Sequence, residues 1–384
     1  MEKPYIYFDN SATTKPWPEV TDRVAWVMTE CYGNPSSEHL LGKRSKNELL
    51  RARKNVAGLL GCLPGEVYFT SGGTESNNLA IFGGCSAMKK YGNKIVTTTV
   101  EHASVTKALR ILRRQGWHVE YIPAPKGVLD LEALRNAVDE RTVFVSIMSV
   151  NNEIGCIFPI EEISKIIKEK KSPAIFHTDA VQAFGKISFS PMSIGADLVS
   201  VSAHKIHGVK GAGALFVRDK LKIHALQFGG GQEGGLRPGT EGIPQIAAFG
   251  EAALLTMARM GADVAKMTEL RDYCYKALRR SIPGVEMLSS LNGAPHIVSF
   301  SLSGEDSGAI VRYLNLNNIF VSNGAACKSH YKKKGPQILE SFGLHTEALY
   351  SVIRVSFSAE NTFEEIDIFI RALAARNRTE MASL

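Results

Sequence analysis

The sequence predicts an α/β protein with a large unit and a smaller α+β unit at the C-terminal end. The large unit carries a mostly parallel, seven-stranded-type sheet between helices. Three observations carry this reading. From Val67 to Val217, short apolar runs alternate with helical patterns, which implies parallel strands covered on both faces. A glycine-rich stretch, 229–240, then breaks the rhythm, and a long helical pattern from Pro244 to about Arg280 leads away. Beyond it, strands and helices mix again to the C-terminus.

The elements follow in order. Tyr5 to Phe8 reads as extended, and Asp9–Thr14 as a polar loop. Helical patterns cover Glu19–Cys31 and Arg44–Leu60, the second with Leu49, Leu50, Val56, Leu59 and Leu60 at helical spacing. The alternating region gives strands at Val67–Thr70, Lys94–Val100, His118–Ile122, Thr142–Val150, Ala174–Thr178, Leu198–Val201 and Ala214–Val217. Helices are predicted at Thr74–Lys90, Ser104–Arg114, Leu131–Val138 and Ile160–Lys170. Later strands are expected at Ile297–Leu302, Ile319–Val321 and Val352–Phe357. The domain boundary falls at the long helix, giving a large domain, 15–254, and a small one built from 1–14 and 255–384.

A chain of 384 residues is long enough for two domains, and 44% hydrophobic with 22% charged residues is ordinary globular composition. The net charge of +7 fits a solvated surface or an acidic partner. Six cysteines (31, 62, 85, 156, 274 and 327) lie far apart, with no metal-site spacing. No signal core and no bilayer-length apolar run is present, so the expectation is a cytoplasmic protein with reduced thiols, no membrane contact and no metal.

Chemistry gathers at predicted strand ends, where sites form in such sheets. Lys205 follows a Val/Ser strand in a glycine-bearing turn; a lysine drawn into a closed site loses pKa and becomes available for Schiff-base chemistry. Gly73 and Thr74 open a helix after a strand, a phosphate-binding arrangement or an ordinary N-cap. Asp179 ends another strand, His102 follows a third, and Asn152 a fourth. Singly each has a bland explanation. Together, a phosphate cradle, an imidazole, a carboxylate and a lysine match the needs of pyridoxal phosphate.

The motifs FDNSATT, GNPSSEH, TSGGTESNN, VEHASV, VNNEIG, HTDAVQ, SAHKIHGVKG, LRPGTEG, NGAACKS and IRVS span nearly the whole chain. In combination they resemble the NifS/IscS cysteine desulfurases, among the fold-type I pyridoxal-phosphate enzymes. The resemblance implies that Lys205 carries the cofactor, His102 stacks on its ring, and Asp179 and Gln182 hold the pyridine nitrogen and phenolic oxygen. Gly73, Thr74, Ser202 and His204 would bind the phosphate, and Thr240 the phosphate of a neighbouring subunit in a homodimer. Asn10, Asn152 and Arg354 would orient the substrate, L-cysteine, with a guanidinium suited to a carboxylate. Cys327, among small polar residues and followed by lysines 328, 332, 333 and 334, is the candidate nucleophile, since an electropositive setting favours thiolate. The persulfide would pass to an acceptor serving iron–sulfur assembly or tRNA thiolation, with no direct nucleic-acid contact.

Four departures from the family pattern stand out. Asn323 and Ala325 replace serines, Ser358 replaces a glycine, Gly234 stands where arginine is usual, and the lysine run is heavy. Rival readings are a selenocysteine lyase, an aminotransferase-like relative, or an idle scaffold for sulfur carriers. Lys205 and Cys327 together argue against the scaffold, which needs neither.

Overall fold

A computed structural model describes residues 4–302, 304–323 and 337–381. After β1 (Ile6–Tyr7), the central sheet is built from β2 (Val67–Thr70), β3 (Lys94–Thr98), β4 (His118–Ile122), β5 (Thr142–Ser146), β6 (Ile175–Asp179), β7 (Leu198–Ser202) and β8 (Gly213–Val217). Its order is β2-β8-β7-β6-β5-β3-β4. All neighbours are parallel except β8, which runs against both β7 and β2. The turn Ala203–Ala212 explains the exception, because it is too short to hold the crossover a parallel return needs. The carboxyl ends of β2, β3, β5, β6 and β7 consequently open on one edge, as expected of this α/β class.

The near-continuous apolar content of β5 to β8 reflects burial on both faces: each of their residues is buried. Two further strands, β9 (Val285–Met287) and β10 (Ile297–Leu302), pair antiparallel, and β11 (Ile319–Phe320) pairs in parallel with β1. β12 (Val352–Ser356) completes the small antiparallel sheet beside β10. A separate apolar cluster lies there, with Phe8, Phe300, Phe357 and Phe369 fully buried. The long helix Ile243–Ser281 contributes Phe249 and Ala252 to the large cluster and Leu270 and Leu278 to the small one. No helix among the described residues is long and apolar enough to cross a membrane.

Two elements differ from the sequence reading. The strand expected to run to Val150 ends at Ser146; beyond it Met148 donates its backbone N–H to the Glu101 carboxyl, which turns the chain toward the site. The helix expected over 74–90 widens to a π-turn at Leu79–Gly83. At the end of that turn the Gly83 carbonyl accepts the N–H of His224.

Close packing of the helix Leu40–Leu60 against the long helix Ile243–Ser281 rests on Gly250. A Cβ there would lie 2.4 Å from the Ala52 Cα of helix Leu40–Leu60. Gly250→Val is therefore expected to destabilise the protein by about 2–3 kcal/mol through overpacking, read as a lower urea midpoint at unchanged slope.

Candidate active site

Each strand end delivers one group. Lys205 sits in the single turn Ala203–Lys205 directly after β7. Its Nζ donates to the carbonyls of Ser11 and Ala12, the second at 2.8 Å. The segment Asp9–Thr14 is strapped over this turn: Thr14 N and Oγ1 both donate to the His204 carbonyl, and His207 N donates to Thr14 Oγ1 at 2.7 Å.

Asp179 closes β6, with its Oδ1 accepting the Val181 N–H and its Oδ2 accepting Asn77 Nδ2 at 2.6 Å. Asn77 Nδ2 also reaches Ser104 Oγ at 2.9 Å, and Ser104 Oγ meets His102 Nδ1 at 2.8 Å. The Ser104 N–H donates to the same His102 nitrogen, which leaves the ring proton on Nε2. A polar chain thus fixes the two expected cofactor contacts, Asp179 and His102, relative to each other.

Arg354 comes from β12, in the other lobe. Its Nη1 donates to the Asn152 carbonyl at 2.7 Å, and its Nη2 to Asp9 Oδ1 at 2.9 Å. Glu153 Oε2 stands 4.0 Å from Nη1. Gln182 spans the gap between lobes as well, donating to the Ser11 carbonyl at 3.0 Å while its Oε1 lies 3.1 Å from His296 Nε2.

These groups line one cavity of about 480 Å³, which takes in Gly73, Thr74, His102, Asn152, Asp179, Gln182, Ser202, His204, Lys205 and Arg354. One residue expected to orient the substrate lies elsewhere. Asn10 is buried and spends its amide on the carbonyls of Tyr7 and Ser356 and on Asn361, so it holds the strap to β12 rather than facing the cavity. Thr240 is exposed, at the end of the glycine-rich stretch. Cys327 and the lysines after it lie outside the described residues.

That glycine-rich stretch is anchored, not slack. Glu233 makes a two-pronged pair with Arg53, one contact at 2.8 Å, and accepts the Phe69 N–H at 2.7 Å. Arg237 reaches Glu75 at 2.9 Å, and Glu75 in turn accepts the Ser71 N–H; these partners hold the Glu75 carboxyl below its ordinary range despite burial. Gly234 sits at φ 63°, which suits glycine better than an arginine.

Sequence reasoning did not single out Asn77, Ser104, Asp9 or Glu153. Asn77 had a signal: it lies four residues after Gly73 on the same helix face. Asp9 and Ser11 had none, because the strap reaches Lys205 from 194 residues away in sequence.

Buried titratable groups take their state from desolvation. Burial pushes the Glu101 carboxyl up to about 8, with the Asp179 charge adding to it. His204 is pushed down to about 4, by burial first and then by the charges of Lys205, Lys210 and Lys186. The five described cysteines all have thiols raised by burial, Cys62 and Cys156 to about 12.

The class-V aminotransferase family profile matches residues 6–369. The chain belongs to that family. A class-V relative from Lactobacillus delbrueckii, described as a NifS/IcsS protein homolog, is 42% identical over 96% of both chains. The protein named cysteine desulfurase IscS in Clostridium botulinum is 38% identical over 99% of this chain and 96% of its own. A solved structure of a NifS-like protein superposes with TM-score 0.92 at 34% identity, over 98% of this chain and 100% of that one.

This class-V protein is pyridoxal-phosphate-dependent, and its cavity fits that group. Ser202 Oγ, Ser11 Oγ, Asn152 Oδ1 and Arg354 Nε are buried there without a hydrogen-bond partner among the described residues, which is costly unless a ligand engages them. A Cβ at Gly73 would lie 2.7 Å from Val181 Cγ2, so only glycine leaves the backbone open at the start of that helix.

Acid stability carries a signature of β6. His177 is fully buried, bonded to Ser146 and Ser200, and burial pushes it down to about 3 from 6.5. Its stabilising contribution is complete above pH 6.5 and falls as pH drops toward the folded value, at up to about 1.4 kcal/mol per pH unit. Urea midpoints of the apoprotein between pH 7 and 5 should fall, and His177→Asn should flatten that slope.

Proposed function

We propose that this class-V protein is a cysteine desulfurase that takes sulfur from L-cysteine as a persulfide on Cys327 and releases L-alanine. The observation that carries the reading is one cavity holding Lys205, Asp179, His102 and Arg354, with Ser322 in its wall. Cys327 follows Asn323, the neighbour of Ser322, by four residues, and four residues reach up to ~14 Å. The relatives named cysteine desulfurase support the same activity.

Bound pyridoxal phosphate supplies the electron sink for negative charge at the substrate α-carbon. Lys205 Nζ is the attachment atom and the base that moves the α-proton. Asp179 would hold the pyridine nitrogen, Gln182 would serve the phenolic oxygen, and His102 would lie at the ring with its proton on Nε2. Ser202, His204 and the backbone at Gly73–Thr74 would hold the phosphate. Arg354 binds the substrate carboxylate, giving up part of its contact with Asp9; Asn152 lines the same side.

The Cys327 thiolate attacks the substrate sulfur. The new S–S bond forms as the Cβ–S bond breaks, its electron pair stays with carbon, and that carbon takes a proton on the way to alanine. The five described thiols, raised by burial, are poor competitors for this step. The protein works in the cytoplasm as a homodimer, Thr240 meeting the partner's cofactor phosphate. Residues 15–254 form the cofactor lobe. An acceptor protein for iron–sulfur assembly or tRNA thiolation receives the sulfur.

Cys327→Ala is expected to retain cofactor colour yet form no persulfide, checked by trapping and mapping the modified peptide. Full alanine and sulfide production by that variant, or selenide release from selenocysteine far exceeding sulfide release from cysteine, overturns the reading. Arg354→Lys should raise KM for L-cysteine about tenfold or more, because the bidentate fork is lost.

A further inference from the structure

Lys186 is the cation that the chemistry above leaves unexplained. It is 5% exposed, and no carboxylate lies within ion-pair distance of it among the described residues. A lysine this deep is rare without a counter-charge. Its Nζ instead donates to the backbone carbonyl of Lys205 at 2.5 Å.

Its seat is rigid. Lys186 closes the loop that begins with Asp179 and carries Gln182, and Gly185 before it has φ 71°. A Cβ on Gly185 would lie 2.7 Å from Thr256 Cγ2 and 2.9 Å from Ile206 Cγ2. Ile206 is the residue after Lys205. The loop and the lysine turn therefore pack directly against each other.

We propose that Lys186 is a positioning residue for Lys205: it clamps the turn through the Lys205 carbonyl, and by carrying positive charge whenever Lys205 is uncharged it disfavours protonation of the Lys205 nitrogen. The proposal deepens the pyridoxal-phosphate reading and rests on it. The Lys205 charge acts on Lys186, and two such coupled amines titrate as a pair, so protonation of one opposes protonation of the other. Burial pushes Lys186 down to about 7, with the Lys205 charge as the second cause.

The surrounding groups sharpen the effect. His204, His207 and His296 face Lys186 from the lysine turn and from the start of β10, and each is held below its ordinary range. Asp263 of the long helix lines the same small pocket as Lys186 and His207, and Glu360 acts on His207 and Asp263. On the cavity side Lys205 shares space with Asp9, His102, Glu153, Asp179 and Arg354. In the chain alone, Lys205 Nζ donates to the Ser11 and Ala12 carbonyls. When Lys205 is committed to the cofactor, the charge passes to Lys186.

The test is a pH titration of the visible absorbance of the holoenzyme, reconstituted with pyridoxal phosphate, for wild type, Lys186→Met, Lys186→Gln and Lys186→Arg. Removing the charge should raise the titration midpoint of the lysine-bound cofactor by about one pH unit, tenfold in proton affinity, in whichever neutral variant folds. Lys186→Arg should keep the midpoint at or below that of wild type. Midpoints within 0.3 unit, as an order-of-magnitude threshold, for wild type and the neutral variants overturn the proposal. An equal rise in Lys186→Arg also overturns it, because packing rather than charge would then be responsible. A wild-type protein whose cofactor absorbance does not depend on Lys205 refutes the underlying reading instead.

Discussion

The contact between Lys205 Nζ and the carbonyls of Ser11 and Ala12 is the constraint on which the site depends. A partly buried ammonium still needs acceptors, and these two carbonyls lie 194 and 193 residues away in sequence. The same strap is tied to the small sheet, since Ser11 N donates to Ser356 Oγ at 2.8 Å and Asn10 Nδ2 to the Ser356 carbonyl at 3.0 Å. Satisfying one lysine therefore fixes β12, and with it Arg354, opposite the end of β7. The cavity is a product of that closure.

Around this constraint the polar groups fall into two sets with different jobs. Asp179, Asn77, Ser104 and His102 form a chain whose members are mostly satisfied by one another, which gives orientation. Ser202, Asn152 and Arg354 retain buried atoms without partners among the described residues, which gives binding capacity. Glu101, lying behind both sets, is kept largely neutral at pH 7 by burial and so adds little negative charge beside Asp179.

The sheet was legible because alternation of apolar runs with helical spacing is a local signal, and each of its seven strands begins or ends within a few residues of its predicted place. Strand ends carried the chemistry, so Lys205, Asp179 and His102 were legible too. The strap was not. Nothing in Asp9–Thr14 announces that its carbonyls serve a lysine in the turn after β7, and Asn10 reads as a ligand contact although its amide is consumed internally. Where β5 stops was equally hidden, because Glu101 turns the chain at Met148 through a contact that local pattern does not encode.

The stretch 229–240 has a linker's composition but a core's anchorage, with Glu233 bound to Arg53 and Phe69 and Arg237 bound to Glu75. Its exposed tip is thus presented in a fixed shape. A second molecule docking on that edge would meet a surface already ordered, and the association would lose little loop entropy.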